Sequence, residues 1–203
     1  MTTEIKDLVD DTFEETTARQ YLYFEIEGKT PILMNNPEGS MQVTSDAPKR
    51  KKAIPTPEEE AERSTYKLAN GDLYIPSTAI RNCILNGSKG LKVGSRAASP
   101  YVSGSLLLVD ECFSLVNEKD QPIRDYIIDT RRVVIQRAGI MRSRARIETP
   151  WYVKGTFLYN EAASIEVIRA SFEDAGLTMG IMDYRIEKKG PFGSFAVKKL
   201  EII

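Results

Sequence analysis

Histidine is absent from all 203 residues, and that absence removes several chemistries at once. Without imidazole there is no Ser-His-Asp triad, no Cys-His nucleophile and no histidine-based ribonuclease pair. Cysteine is scarce too. Only Cys83 and Cys112 occur, both within apolar pattern and neither in a CxxC or metal-ligand spacing. This usage predicts buried, reduced thiols in a cytoplasmic protein, and a zinc ion would have to be completed by carboxylates. No run approaches the ~20 apolar residues that cross a bilayer, so no membrane partner is expected. The start, MTTEIKDLVDDTFEE, is acidic and has no apolar core, so no secretory signal peptide is expected there. GxxxxGKS/T, a GxGxxG after a strand and a paired-carboxylate motif are all missing. Carboxylates are plentiful enough to be compatible with a magnesium site, yet the balance predicts a non-catalytic protein with no metal and no cofactor.

What the chain does have is arginine concentrated in one place. The segment RDYIIDTRRVVIQRAGIMRSRAR holds Arg124, Arg131, Arg132, Arg137, Arg142, Arg144 and Arg146 against Asp125 and Asp129, a local charge of +5. The whole chain carries −1, which leaves −6 for everything else. The planar arginine fork pairs bidentately with phosphate and stacks on bases, so the strip reads as a polyanion-binding surface on a body that otherwise repels polyanions. The competing reading is a solvated, salt-bridged pair of strands.

The rest of the pattern is α+β. Residues 1–19 form an acidic arm, and 20–203 are expected to make a single domain. Tyr21 to Glu27, YLYFEIE, alternates as a strand and ends at Gly28. From about 35 to 63, apolar periodicity fades among Pro37, Pro48, Pro55 and Pro57, a basic run Lys49 to Lys52 and an acidic run Glu58 to Glu60. This predicts a long inserted loop. Asn70-Gly71 signals a hairpin with a type I′ turn. Ser77 is placed as the N-cap of a helix whose Ile80, Cys83 and Ile84 share one face and which ends near Gly87. Residues 87–105, with Lys89, Lys92 and Arg96, read as loop.

Residues 105–116 read as one long strand. Further strands are expected at about 123–128, 131–136 and 151–159, with RAGIMRSRARIETP as a basic loop or hairpin exposing Ile140 and Met141. A helix runs from Ser164 to Ala175 with Gly176 as its stop, and a last strand covers 195–203. The order predicts a ferredoxin-like or RNA-recognition-like antiparallel sheet, with two helices on one face and long inserted loops. Before the last strand, GIMDYRIEKKGPFGSF packs glycines around Lys188, Lys189, Phe192 and Phe195. It reads either as a ligand-approaching turn, with Phe192 as a stacking platform, or as a kinked turn whose phenylalanines cap the core.

Three phrases, LYIPSTAIRNCI, DTRRVVIQRAGIMRSRAR and GIMDYRIEKKGPFGSF, resemble the RAMP superfamily of CRISPR-associated proteins. The resemblance is to the repeated backbone subunit that coats guide RNA in effector complexes, and to stand-alone phage or mobile-element versions. It covers about residues 20–203 and implies an RNA-recognition-like core whose copies stack head to tail along a single strand of RNA or DNA, with other effector-complex subunits as further partners. It implies strand contacts at Ser77 and Thr78 at the start of the first helix, and a wedge between bases at Ile140 and Met141. Met182 stands where that family commonly has a second glycine. RNA-processing members commonly use histidine, so processing is not carried over. A loop aspartate that cleaves target RNA would correspond to Asp46, the one aspartate of the 35–63 insert.

Taken together, the candidate contacts are Ser77, Thr78, Arg81, Lys89, Lys92, Arg96, Arg131, Arg132, Arg137, Ile140, Met141, Arg142, Arg144, Arg146, Lys188, Lys189 and Phe192. Two functions compete. One is a non-catalytic, single-strand nucleic-acid-binding protein that oligomerises along its ligand. The other is a phage or mobile-element assembly protein whose arginine strip docks an acidic neighbour, for instance the arm of the next copy. The alternating charges of arm and strip favour a head-to-tail homo-oligomer in either case.

Overall fold

The computed structural model describes residues 19–41, 55–135 and 138–203. The acidic arm up to residue 18, Asp46, the Lys49 to Lys52 run and Arg137 lie outside the described residues. The first half contains β1 (Gln20–Gly28), β2 (Ile32–Leu33), α1 (Pro37–Met41), α2 (Pro57–Arg63), β3 (Tyr74–Pro76), α3 (Ser77–Gly87), β4 (Lys92–Val93), β5 (Arg96–Ala97) and α4 (Ser99–Ser105). Then follow β6 (Leu106–Leu108), β7 (Cys112–Val116), β8 (Ile127–Ile135), β9 (Ala138–Ile147), β10 (Tyr152–Tyr159), α5 (Ile165–Asp174) and β11 (Phe195–Ile202).

The main sheet runs β11-β1-β10-β7-β3, with β6 beside β7 on the same edge of β10, and its strands pair antiparallel. Taking β6 and β7 as one broken strand, the order is fourth, first, third, second, with α3 and α5 as the crossovers. That is the ferredoxin-like βαββαβ arrangement expected from the pattern. Alternation in β1 turns Leu22, Phe24 and Ile26 to the core, where Ile80 and Ile84 of α3 and Ile168 and Phe172 of α5 cover them. Both helices therefore lie on one face. Phe24 sits among three rings, edge-on to Phe113 at 5.0 Å, stacked on Phe157 at 5.3 Å and 5.6 Å from Phe172. Each such pair adds about 0.5–1.5 kcal/mol beyond the area it buries. Gly28 closes β1 because Trp151 occupies its side-chain space: a Cβ there would lie 1.9 Å from the indole.

The opposite face of the sheet carries Tyr21, Tyr23 and Tyr152 among paired charges. Lys154 pairs with Glu25 at 3.5 Å and with Asp120 at 2.6 Å, Lys199 pairs with Glu201, and Lys199 also lies over the Tyr23 ring. Its cations are matched by acids, which leaves little net field for a polyanion.

Several expectations are corrected. The 35–63 insert contains two helices at its ends rather than loop throughout. Thr56 caps α2, with its hydroxyl accepting from the Glu59 N–H and the Glu59 carboxylate accepting from the Thr56 N–H, a reciprocal capping box. The Asn70-Gly71 hairpin is present, but only Gly71 takes positive φ (90°), so the turn is not type I′. Ser77 is the first helical residue and Pro76 the cap. Residues 87–105 hold a 3-10 turn at Ser88–Gly90, the β4–β5 hairpin and α4. The 105–116 strand breaks between β6 and β7, where the Glu111 carbonyl turns to accept the Ser77 N–H (3.0 Å) and hydroxyl (2.9 Å). Gly176 does not stop α5. The helix passes into a π turn, Ala175–Met179, and ends at Gly180 with φ 70°. Of the strand expected at 123–128 only Ile127 and Ile128 are strand, and they run on into the one expected at 131–136 as β8.

Candidate nucleic-acid interface

β8 and β9 pair from Ile127↔Arg146 to Ile135↔Ala138, making a hairpin arm about 30 Å long at ~3.3 Å per residue. β2 joins only its base, at Ile32↔Ile147 and Leu33↔Arg146. Beyond that point α2 closes the edge of β9 with side chains. The Glu60 carboxylate accepts the Ser143 N–H at 2.8 Å and Arg142 Nη1 at 2.7 Å, and Ser64 Oγ accepts the Ala145 N–H at 2.8 Å. An edge whose amides are taken in this way does not recruit another strand. Val134, Ile140 and Met141 are exposed on the distal part of the arm, Val134 at 69% and Met141 at 61%.

The arginine strip is largely ion-paired within the chain. Arg124 pairs with Asp72 at 2.7 Å, Arg142 with Glu60 at 2.7 Å, and Arg146 with Asp129 at 2.9 Å and Glu148 at 2.6 Å. Arg131 embraces Asp129 with both sides of its fork, and its guanidinium lies 4.8 Å from the Phe192 ring centre. The Arg131 guanidinium holds the Asp129 carboxyl below the usual aspartate range; burial opposes this shift, and Arg146 adds to it. Arg144 Nη1 is 2.8 Å from Asp183 Oδ2, but no N–H points along that line, and Oδ2 has no hydrogen bond among the described residues. Only Arg132 has no carboxylate partner among the described residues. The salt-bridged strand pair is therefore the arrangement present, with Glu60, Asp72, Glu148 and Asp183, all outside the strip, supplying most of the counter-charge.

The turn between α5 and β11 folds against the inner face of this arm. Its backbone is concentrated in the left-handed region: Gly180 (φ 70°), Met182 (67°), Tyr184 (45°), Lys189 (61°) and Gly193 (75°). A residue other than glycine held there costs about 1–3 kcal/mol, and such strain clusters at ligand-contacting sites. Met182 thus adopts a conformation that glycine favours. Gly193 has no alternative, since a Cβ would lie 2.0 Å from the Ile181 carbonyl.

Between this turn and α3 runs a groove. Its middle, a cleft of about 330 Å³, is lined by Asn35, Tyr66, Ala79, Asn82, Cys83, Asn86, the 180–183 backbone and Arg185. Tyr66, Ala79 and Asn82 are shared with a wider stretch toward Thr78, Tyr74 and Cys112, whose lining includes the acids Glu38 and Glu111. Asp183 is shared with a recess lined by Arg131, Arg132, Val133, Arg144 and Tyr184. Register puts the Arg131 and Arg144 side chains on the face toward this recess, and the Arg132 side chain on the other face with Met141. On the other wall of the groove Arg185 donates to Glu187 at 2.6 Å, and Lys89 acts electrostatically on the same carboxylate. Lys188 and Lys189 are exposed beside it.

Three candidate contacts are not available to a ligand. Ser77 is 1% exposed and spends its hydroxyl on Glu111. Arg81 donates to the carbonyls of Leu106 (2.6 Å) and Ser103 (2.8 Å), tying α3 to the start of β6. Phe192 is 3% exposed beneath Arg131 and Tyr184, so it caps the core. Thr78 lines the groove. Lys92 and Arg96 lie on the β4–β5 hairpin, where Arg96 bonds Tyr101 at 3.1 Å. The sequence did not single out Asn35, Tyr66, Asn82 and Asn86. The available signal was the stripe Ala79, Asn82, Cys83, Asn86 at i, i+3, i+4, i+7, a polar face next to the apolar one. No group of three metal-ligating side chains occurs among the described residues. Neither the protein-family models nor the curated proteins give a match to this chain.

Proposed function

We propose that the protein binds single-stranded nucleic acid along the groove between α3 and the 180–193 turn, without cleaving it. One observation carries this reading. The groove is continuous, through Asp183, with the recess flanked by Arg131 and Arg144, and its other wall carries Arg185, beside which Lys89 and Lys188 act on Glu187 and Lys189 is exposed. A track with cations beside it and hydrogen-bonding side chains along it suits a flexible polyanion with polar bases. The ferredoxin-like core and the RAMP-like phrases lead to the same class, with copies stacking along RNA or DNA. Charge reversal tests the reading. Lys89→Glu together with Lys189→Glu should abolish the gel shift of a labelled single strand at low salt while leaving the melting temperature unchanged. Binding that survives the reversal would refute it.

A second reading follows from the ion-paired strip and the apolar arm tip: an assembly protein whose arm inserts into a protein neighbour. It predicts that Met141→Lys disrupts self-association in the absence of nucleic acid, whereas the first reading predicts association only on long strands.

A further inference from the structure

The geometry points to the amide-lined cleft beside α3 as a seat for one unstacked nucleobase, which would give the groove base selectivity. This inference rests on the strand-binding reading above. Two independent observations lead to it.

The first is helical. Asn82 and Asn86 stand one turn apart on α3, Asn82 in the helix interior, where asparagine is a poorer helix former than alanine because its amide competes for backbone groups, and Asn86 in the last turn. Neither side chain makes a hydrogen bond to any described residue, nor does Asn35 across the cleft; Asn82 and Asn35 are exposed and Asn86 is half-buried. Three amides, each offering donors and an acceptor, therefore line one solvent-open cavity with no protein partner to displace. Ala79, on the same stripe, keeps the space between them open.

The second observation is on the opposite wall. There Met182 and Tyr184 are held at positive φ with glycines on either side, so the backbone of 180–183 approaches α3 at the expense of local strain. Cys83 Sγ donates to the Gly180 carbonyl at 3.1 Å and braces the two walls together at the floor. Tyr66, braced edge-on against Tyr74 at 5.8 Å, supplies an aromatic wall. Phosphate is the wrong ligand for this cavity, because Arg185 is its one cation and already engages Glu187. Amide donors and acceptors at fixed positions match base edges, as asparagine does for adenine.

The experiment compares labelled oligo-rA, oligo-rC and oligo-rU of equal length, by anisotropy across a salt series, on the parent chain and on Asn82→Ala/Asn86→Ala. The parent is expected to discriminate among the three by about fivefold or more, the effect of roughly one good hydrogen bond. The variant is expected to bind all three alike, with an unchanged salt slope. Its melting temperature should equal or exceed the parent's, since alanine improves the helix. Salt-dependent binding without discrimination in the parent, or discrimination kept in the variant, overturns the base seat and leaves strand binding standing. A variant that melts lower makes the asparagines structural and also overturns it. Absence of salt-dependent binding removes both readings.

Discussion

If the strip acted as seven free arginines, single-strand affinity would depend steeply on salt. Each neutralised phosphate contributes about −0.7 to the log–log slope, so seven contacts would give about −5. The observed pairing argues otherwise. Arg124, Arg131, Arg142, Arg144 and Arg146 each already touch a carboxylate, and trading one anionic partner for another releases few counterions. The cations near the groove with no carboxylate partner among the described residues are Lys89 and Lys189, so a slope of about −1.4 is expected. Anisotropy titrations of a fluorescent single strand over a salt series measure it directly. Lys189→Ala should flatten the slope by about 0.7 and weaken binding to all sequences equally. Arg142→Ala should leave the slope alone. A parent slope near −5 that falls when Arg142 is removed would refute the argument, because the strand would then be breaking the arm's own ion pairs.

Two further outcomes follow from the arm. Glu60→Ala strips the Ser143 N–H and Arg142 of their acceptor, which should cost about 1–3 kcal/mol, read as a lower urea midpoint at unchanged m-value. Glu60→Gln keeps an acceptor for the amide and should lose less, and an unchanged midpoint in the alanine variant would contradict the edge-capping role. Asp129 titrates below the 3.8 of an ordinary aspartate, so its contribution is full above that value and is lost as pH falls through the lowered one. Melting temperature against pH should therefore drop on the acid side, and Asp129→Asn should flatten that limb. An identical acid limb in the variant would remove the Arg131–Asp129–Arg146 clasp from the account.

Much of the fold was readable because it depends on local alternation. YLYFEIE can bury only one face as a strand, and Ile165, Ile168 and Phe172 can share a core only on a helix. The lack of histidine excluded imidazole chemistry before any coordinates were known. Smaller elements escaped notice where tertiary contacts, not periodicity, hold them. α2 has one buried residue, Ala61, and owes its position to bonds with β9. The break between β6 and β7 is shaped by Ser77, which lies 34 positions from Glu111.

The charge of the strip shows the division most clearly. Sequence counts seven arginines in a row of strands, but Coulomb energy depends on distance in space, and Arg142 finds its partner 82 positions away, in Glu60. Phe192 could have faced either way from its turn until the arm closed over it. The cleft requires α3 and a strained turn about a hundred residues later to come together, and no spacing along the chain encodes that. Composition and periodicity determined which elements form and which chemistries are excluded. Only the packing of distant segments decided which charges are already paired and which polar groups still lack a partner.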